Sequence, residues 1–362
     1  MGKRNYSIDL LRIVSMFMIV VTHCVTHGGM ILTAKGPASY LDWTLTMLGV
    51  CGLNCYGLIS GYVGYKENDE PRPNAKFLSI WISTVFYGVL AVALLGIFNI
   101  LPFDWNNIFI AVTPIAHCEY WYVTAYIVVF LLMPYMNILF QKLTKSQMEG
   151  LAITLIVLFS FFAVLASLYG EMFGLNSGMS AVWLLVLYTL GAWIKKCEVF
   201  KNAKTVFLIL GQIACLAVTW CIFKFTPYGA GVMYYYLPTY LFFALFTMRI
   251  FMNIKTGKIA SKIISIVAPA TFGVYLIHDN TFIRDNLISM KFMFVEGIPF
   301  GIMVLELLGI ALAIFVGCTL IELVRLWLFK VLQINRGISF LQKKIEGIGR
   351  KKESEPKPES GK

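Results

Sequence analysis

Arg4–Gly29, RNYSIDLLRIVSMFMIVVTHCVTHGG, decides how the rest of the chain is read. The run is apolar enough to cross a bilayer, yet it carries Asp9, Arg12 and His23, residue types that lipid strongly disfavours. An α-helix turns about 100° per residue, so eleven residues bring Arg12 and His23 back to within about 20° of each other, roughly 16 Å apart along one face. Asp9, Met16 and His27 fall close to the same line. A polar stripe of this length must face protein or water, so it is expected to line a cavity. Residue type alone leaves a second reading open for each member. Arg12 can snorkel to the headgroups with Asp9 as its i,i+3 partner, and His23 can be a hydrogen-bonded packing residue. His23 and His27 have the spacing of metal ligands on a helix, but no third ligand is evident and no metal is expected.

Composition extends this reading to the whole chain. At 362 residues, 59% hydrophobic and 14% charged, with a mean hydropathy of +0.75, it describes a polytopic membrane protein and excludes a soluble globule. The fold expected is all-α, with about ten transmembrane helices. Apolar runs fall near Ile8–Thr26, Trp43–Gly64, Phe77–Phe98, Trp121–Phe140, Leu151–Leu168, Met179–Ile194, Thr205–Phe223, Met233–Met252, Ile263–His278 and Phe300–Phe329, of which the sixth and ninth are short. The first run follows a basic start, as a signal peptide does, but its charges and the lack of a small-x-small cleavage site favour retention. The eight cysteines form no CxxC pair and lie mostly in apolar runs, so they read as small packing residues.

The connecting segments alternate in charge. Lys3 and Arg4 precede the first run, and the even-numbered connections carry Lys66, Arg72 and Lys76, then Lys142 and Lys145, then Lys195, Lys196, Lys201 and Lys204, then Lys255, Lys258 and Lys262. The odd-numbered ones carry far less: Lys35, Lys224, and Arg284 with Lys291. Both termini are therefore expected to be cytoplasmic, in the cell membrane. The net charge of +11 is then a signal of topology and not of a nucleic-acid partner. Residues 1–335 read as one transmembrane domain; 336–362 read as a basic, disordered cytoplasmic tail in contact with anionic membrane lipids. Gly57 and Gly61 make a GxxxG pair suited to close helix packing.

Partners for His23 should come from the outer ends of other runs. Pro114–Pro134, PIAHCEYWYVTAYIVVFLLMP, offers Glu119, Trp121 and Tyr122. Glu119 is a carboxylate able to orient an imidazole; the aromatic residues are also compatible with an interfacial belt. Thr271–Arg284, TFGVYLIHDNTFIR, offers Tyr275, His278 and Asp279, and a capped helix end is the alternative there. At the inner end, Arg12 and Lys76 present positive charge suited to a phosphorylated ligand.

The Arg12-x10-His23 spacing, the opening DLLRIVSMFMIVVTH, the run YWYVTAYIVVFLLMPYMN and the segment TFGVYLIHDN together resemble the acyltransferase-3 family of integral membrane O-acyltransferases, from Arg4 to about Phe329. The resemblance implies transfer of an acyl group, commonly acetyl, from cytoplasmic acyl-CoA to a hydroxyl of an exported or cell-surface polysaccharide. It implies that His23 is the essential catalytic residue and that Arg12 belongs to the donor path. Glu119 or Asp279 would then hold the working tautomer of His23, while Trp121, Tyr122, Tyr275 and His278 would meet substrate. Many members carry an R-x-x-R motif entering the third run; PRPNAKFLSIW retains only Arg72 and Lys76 for donor binding. A secondary transporter or flippase for a lipid-linked sugar or small solute is the rival reading, although no inverted repeat is visible.

Overall fold

The computed structural model of the chain describes residues 4–67, 77–170, 173–225 and 234–348. Eight helices are long and apolar enough to span a bilayer: α1 Tyr6–Thr26, α2 Pro37–Gly64, α3 Phe77–Ile97, α4 Trp121–Lys142, α5 Lys145–Ser167, α7 Thr205–Phe225, α9 Lys258–His278 and α10 Phe300–Val331. Two shorter helices, α6 Ala181–Cys197 and α8 Pro238–Met252, complete the set of ten apolar runs, and α11 Ile334–Ile348 follows the last span. No strand occurs among the described residues.

Two of the ten helices, α6 and α8, are short. At about 1.5 Å per residue they reach only about 22–26 Å, short of a hydrocarbon core of about 30 Å. Their surroundings allow this, because most of α6 is enclosed by protein: Trp183, Leu187, Tyr188, Leu190 and Ala192 are fully buried. The expected start of α8 at Met233 lies outside the described residues; the helix begins at Pro238, where a missing N–H costs nothing. In the other direction, α9 begins five residues earlier than its apolar run, at Lys258. It is interrupted by a 3₁₀ turn at Ala268–Ala270, where Pro269 cannot donate to the α-helical ladder.

Caps define the ends. Asn5 accepts from the N–H groups of Ser7 (3.1 Å) and Ile8 (3.3 Å) to open α1, and Thr144 and Gln147 form a reciprocal capping box at α5. The lysine-bearing connections meet at one end of the bundle and close its helix C-termini. Lys195 Nζ donates to the Tyr65 carbonyl (2.6 Å), and Lys196 Nζ donates to the carbonyls of Phe140 and Leu143 (both 2.5 Å). These cations satisfy orphan carbonyls where the helix dipoles are negative.

Close packing of α1, α2 and α6 runs through glycine. Gly52 lies against the Ser15 backbone, Gly61 against the Tyr188 carbonyl, and Gly191 against the Leu58 carbonyl. The Gly57–Gly61 pair thus sits at the α2–α6 contact, as its spacing suggests. Of the cysteines, Cys24, Cys51, Cys55 and Cys318 are buried, whereas Cys118 and Cys221 are exposed. Nor is the tail irregular from residue 336: α11 is an amphipathic helix fastened to α3 by Gln342 Nε2 donating to Ser79 Oγ (2.9 Å), with Ile338 buried. Its apolar face supplies the burial that holds it there.

Candidate active site

At the end opposite the lysines, the C-terminus of α1 meets the C-terminus of α9. The chain leaves α1 through His27, Gly28 and Gly29, and the last adopts φ +88°, which a side chain would resist. This turn is pinned by main-chain bonds from Met290 to the His27 carbonyl (2.9 Å) and from Phe292 to the Gly28 carbonyl (3.0 Å). The end of α9 is held as firmly. Asn280 caps the following turn through Oδ1, while its Nδ2 donates to the Tyr120 hydroxyl (2.7 Å), which itself donates to the Leu276 carbonyl (2.7 Å).

Between these anchors three histidine rings and one carboxylate converge. His23 Nδ1 lies 3.1 Å from His278 Nε2, 3.6 Å from Asp279 Oδ1, and its ring stands edge-on to His27 with centroids 4.7 Å apart. His27 Nε2 and an Arg284 guanidinium nitrogen lie 4.0 and 3.5 Å from the same Asp279 oxygen. Burial lifts the Asp279 carboxyl above the ordinary aspartate value, opposed by His278, Arg284 and His27. Burial likewise lowers His27 below the ordinary histidine value, opposed by Asp279 and assisted by Arg284.

The hydrogen bonds determine which nitrogen of His23 is free. His278 Nδ1 lies 2.6 Å from the Val274 carbonyl, which only accepts, so Nδ1 carries the proton. In a neutral ring Nε2 is then bare and accepts from His23 Nδ1. Asp279, on the same side, favours the same arrangement. His23 is left with its lone pair on Nε2, the form required of a general base.

His23 lines a cavity of about 60 Å³ together with Met16, Ile19, Leu53, Tyr56, Trp121, Tyr122, Tyr235, Phe272, Tyr275 and Asp279. The stripe on α1 therefore does face a cavity, through Met16 and His23. Aromatic contacts build its wall: Trp121 meets Tyr122 at 5.6 Å and Tyr235 at 5.8 Å, and Tyr122 stacks on Tyr126 at 5.6 Å. Tyr235 is positioned from α6 and α2, because Trp183 Nε1 donates to Asn54 Oδ1 (3.0 Å) and Asn54 Nδ2 donates to the Tyr235 carbonyl (2.8 Å).

The structure brings some of the residues singled out in the sequence together and leaves others apart. Trp121, Tyr122 and Tyr275 line the cavity, whereas His278 stands behind His23 as its hydrogen-bond partner and is absent from the lining. Asp279 occupies the orienting position. Glu119 does not: it meets this region through its backbone carbonyl, which accepts from Thr281 Oγ1 (3.5 Å), and among the described residues its carboxylate makes no hydrogen bond or ion pair with the histidines. The cause is local, since the main chain of Glu119 is bonded back to Pro114 (3.0 Å) in the turn preceding α4. Arg12 pairs with Asp9 (3.1 Å), which also accepts from Arg4 (2.5 Å), and its side chain remains 31% exposed. Its carbonyl accepts from the Tyr56 hydroxyl (2.9 Å), which ties this turn of α1 to the cavity wall. Arg72 and Lys76 lie outside the described residues.

Other participants carried weaker signals in sequence. Tyr56 and Tyr235 sit in apolar stretches where a tyrosine reads as packing. Glu322 and Arg325 form a buried pair in α10, with Arg325 Nε and Nη2 donating to the carboxylate at 2.7 and 2.6 Å; an intramembrane E-x-x-R spacing is the mark that identifies it. Asp279 also supplies the third atom that the His23–His27 spacing lacked, all three ligand-type atoms lying within 4.8 Å. The oxygen facing both rings also faces Arg284 at 3.5 Å.

Comparison with protein-family models matches residues 5–323 to the acyltransferase domain of the acyltransferase-3 family. Neither the curated proteins nor the solved structures compared with the chain give a match.

Proposed function

We propose, from the premise that this chain belongs to the acyltransferase-3 family and is a multi-pass membrane acyltransferase, that it moves an acyl group, acetyl in the first instance, from cytoplasmic acyl-CoA to a hydroxyl of an exported or cell-envelope polysaccharide. The observation that carries the reading is the state of His23. It faces an aromatic-walled cavity with Nδ1 engaged by His278 and Asp279, which leaves Nε2 as a base.

In the proposed reaction Nε2 takes the proton of the acceptor hydroxyl as its oxygen attacks the thioester carbonyl. The resulting imidazolium is stabilised by Asp279 across Nδ1, and it returns the proton to the departing thiolate. Arg284 keeps the carboxylate in place on the far side. The donor enters from the lysine-rich end, where Arg12 would offer charge to its phosphates. Only the acyl group crosses the remaining depth of the membrane.

The test is transfer of label from radioactive acetyl-CoA to envelope glycan in membranes containing the protein. Membranes with His23→Ala should show no transfer above background, with the protein present at the normal level. Undiminished transfer by that variant would end the chemical role of His23.

A further inference from the structure

Four tyrosines line the cavity, Tyr56, Tyr122, Tyr235 and Tyr275, and they differ in what their hydroxyls do. Tyr56 donates to the Arg12 carbonyl. Tyr275 is only 8% exposed, and its buried hydroxyl makes no hydrogen bond of ordinary distance and angle among the described residues, although it lies under the influence of the Asp279 carboxylate. Its ring, in contrast, is well held. Tyr120 packs against it at 5.7 Å, Tyr122 meets it edge-on at 6.3 Å, and His278 meets it edge-on at 6.3 Å. The neighbouring Tyr120 hydroxyl shows the alternative, with one bond donated to Leu276 and one accepted from Asn280. Asp279, one turn beyond Tyr275, directs its oxygen to His23, His27 and Arg284.

A fixed ring whose O–H makes no well-formed bond at rest, in an aromatic wall shared with the base, is an arrangement suited to stabilise charge appearing only during reaction. We propose that Tyr275 is a second catalytic residue, donating a hydrogen bond to the thioester carbonyl oxygen as it becomes an oxyanion. The assignment rests on the acyl-transfer reading given above. As the acceptor oxygen bonds to the carbonyl carbon, the π pair moves to oxygen and is held by the Tyr275 hydroxyl, while the acceptor proton passes to His23 Nε2. Collapse restores the carbonyl and breaks the C–S bond; the thiolate takes the proton from His23. The phenol keeps its own proton throughout.

Because the hydroxyl makes no well-formed hydrogen bond in the resting site, removing it should spare the fold. The experiment compares wild type, Tyr275→Phe and His23→Ala, each full-length in membranes, using radioactive acetyl-CoA as donor and the envelope glycan fraction as acceptor. Thermal unfolding of each protein is followed in detergent. The expected result for Tyr275→Phe is a kcat lower by roughly 100-fold or more, as for loss of one oxyanion donor. Its KM for acetyl-CoA should be nearly unchanged and its unfolding midpoint equal to or above that of wild type. A turnover close to wild type overturns the assignment, as does a midpoint that falls with activity, since the hydroxyl would then be a structural partner of Asp279. If wild type transfers no label, the acyl-transfer reading fails and this one with it. If wild type transfers label, His23→Ala does not and Tyr275→Phe does, only the role of Tyr275 fails.

Discussion

The chemistry of His23 is set two residues away from its own ring. The Val274 carbonyl holds the proton of His278 on Nδ1, and through that ring it holds the proton of His23 on Nδ1 as well. Replacing His278 by Leu removes the acceptor and leaves Asp279 alone at 3.6 Å, so turnover should fall by part of the roughly 10²–10⁴-fold that a positioned base contributes. His278→Gln, whose carbonyl oxygen can accept from Nδ1–H, should recover some of the loss; equal activity in the two variants would count against a positioning role. Acidity should act through Asp279 too. Its carboxyl lies above the ordinary aspartate value because of burial, so it takes up a proton at a higher pH than an exposed aspartate would. As pH falls the imidazolium loses its anionic partner and activity declines. Asp279→Asn should therefore show a lower plateau in the pH–rate profile and lack this part of the acid limb. An unchanged profile would place the titration elsewhere.

Among the helices, the contact between α2 and α6 has the least tolerance. A Cβ added at Gly61 would overlap the Tyr188 carbonyl, and one at Gly191 would overlap that of Leu58. Backbone atoms cannot give way as the end of a side chain does, so Gly61→Ala must part the helices. The expected cost is about 1–3 kcal/mol, seen as a lower unfolding midpoint in detergent. Gly309→Ala on α10, where nothing lies within 4 Å, is the control and should leave the midpoint unchanged or raised. Separation of α2 from α6 also disturbs the Trp183–Asn54–Tyr235 chain of bonds, so Gly61→Ala should lower acyl transfer beyond the loss of folded protein. Along α9 the device is different. Gly273 lets the Glu322 carboxylate, already bonded to Arg325 and the Tyr87 hydroxyl, lie directly on the helix that carries Tyr275 and His278.

Across the molecule, charge and chemistry occupy opposite ends. The lysines that close α2 and α4 lie at one end, and the histidine cluster lies at the other. Exposed Cys118 belongs to the histidine end, and exposed Lys201, whose carbonyl accepts from Arg249 (2.9 Å), belongs to the lysine end. With positive charge facing the cytoplasm, an impermeant thiol reagent should label a variant retaining only Cys118 in intact cells. A variant carrying Lys201→Cys as its single cysteine should react only after permeabilisation. Labelling of both from the same side would invalidate the proposed path from cytoplasmic donor to external acceptor.

Sequence by itself determined the solvent, the helical class and the approximate positions of the apolar runs, and it singled out the stripe on which Arg12 and His23 lie. These follow from local quantities: the length of an apolar run, the 100° step of a helix, and the cost of charge in lipid. Tertiary structure alone decided that Asp279 rather than Glu119 faces His23, that His278 supports the base, and that Tyr56 and Tyr235 complete the cavity. Each of those outcomes depends on which helices lie side by side. Helices distant in sequence meet through the shapes of their surfaces, and no spacing within a single run records that meeting.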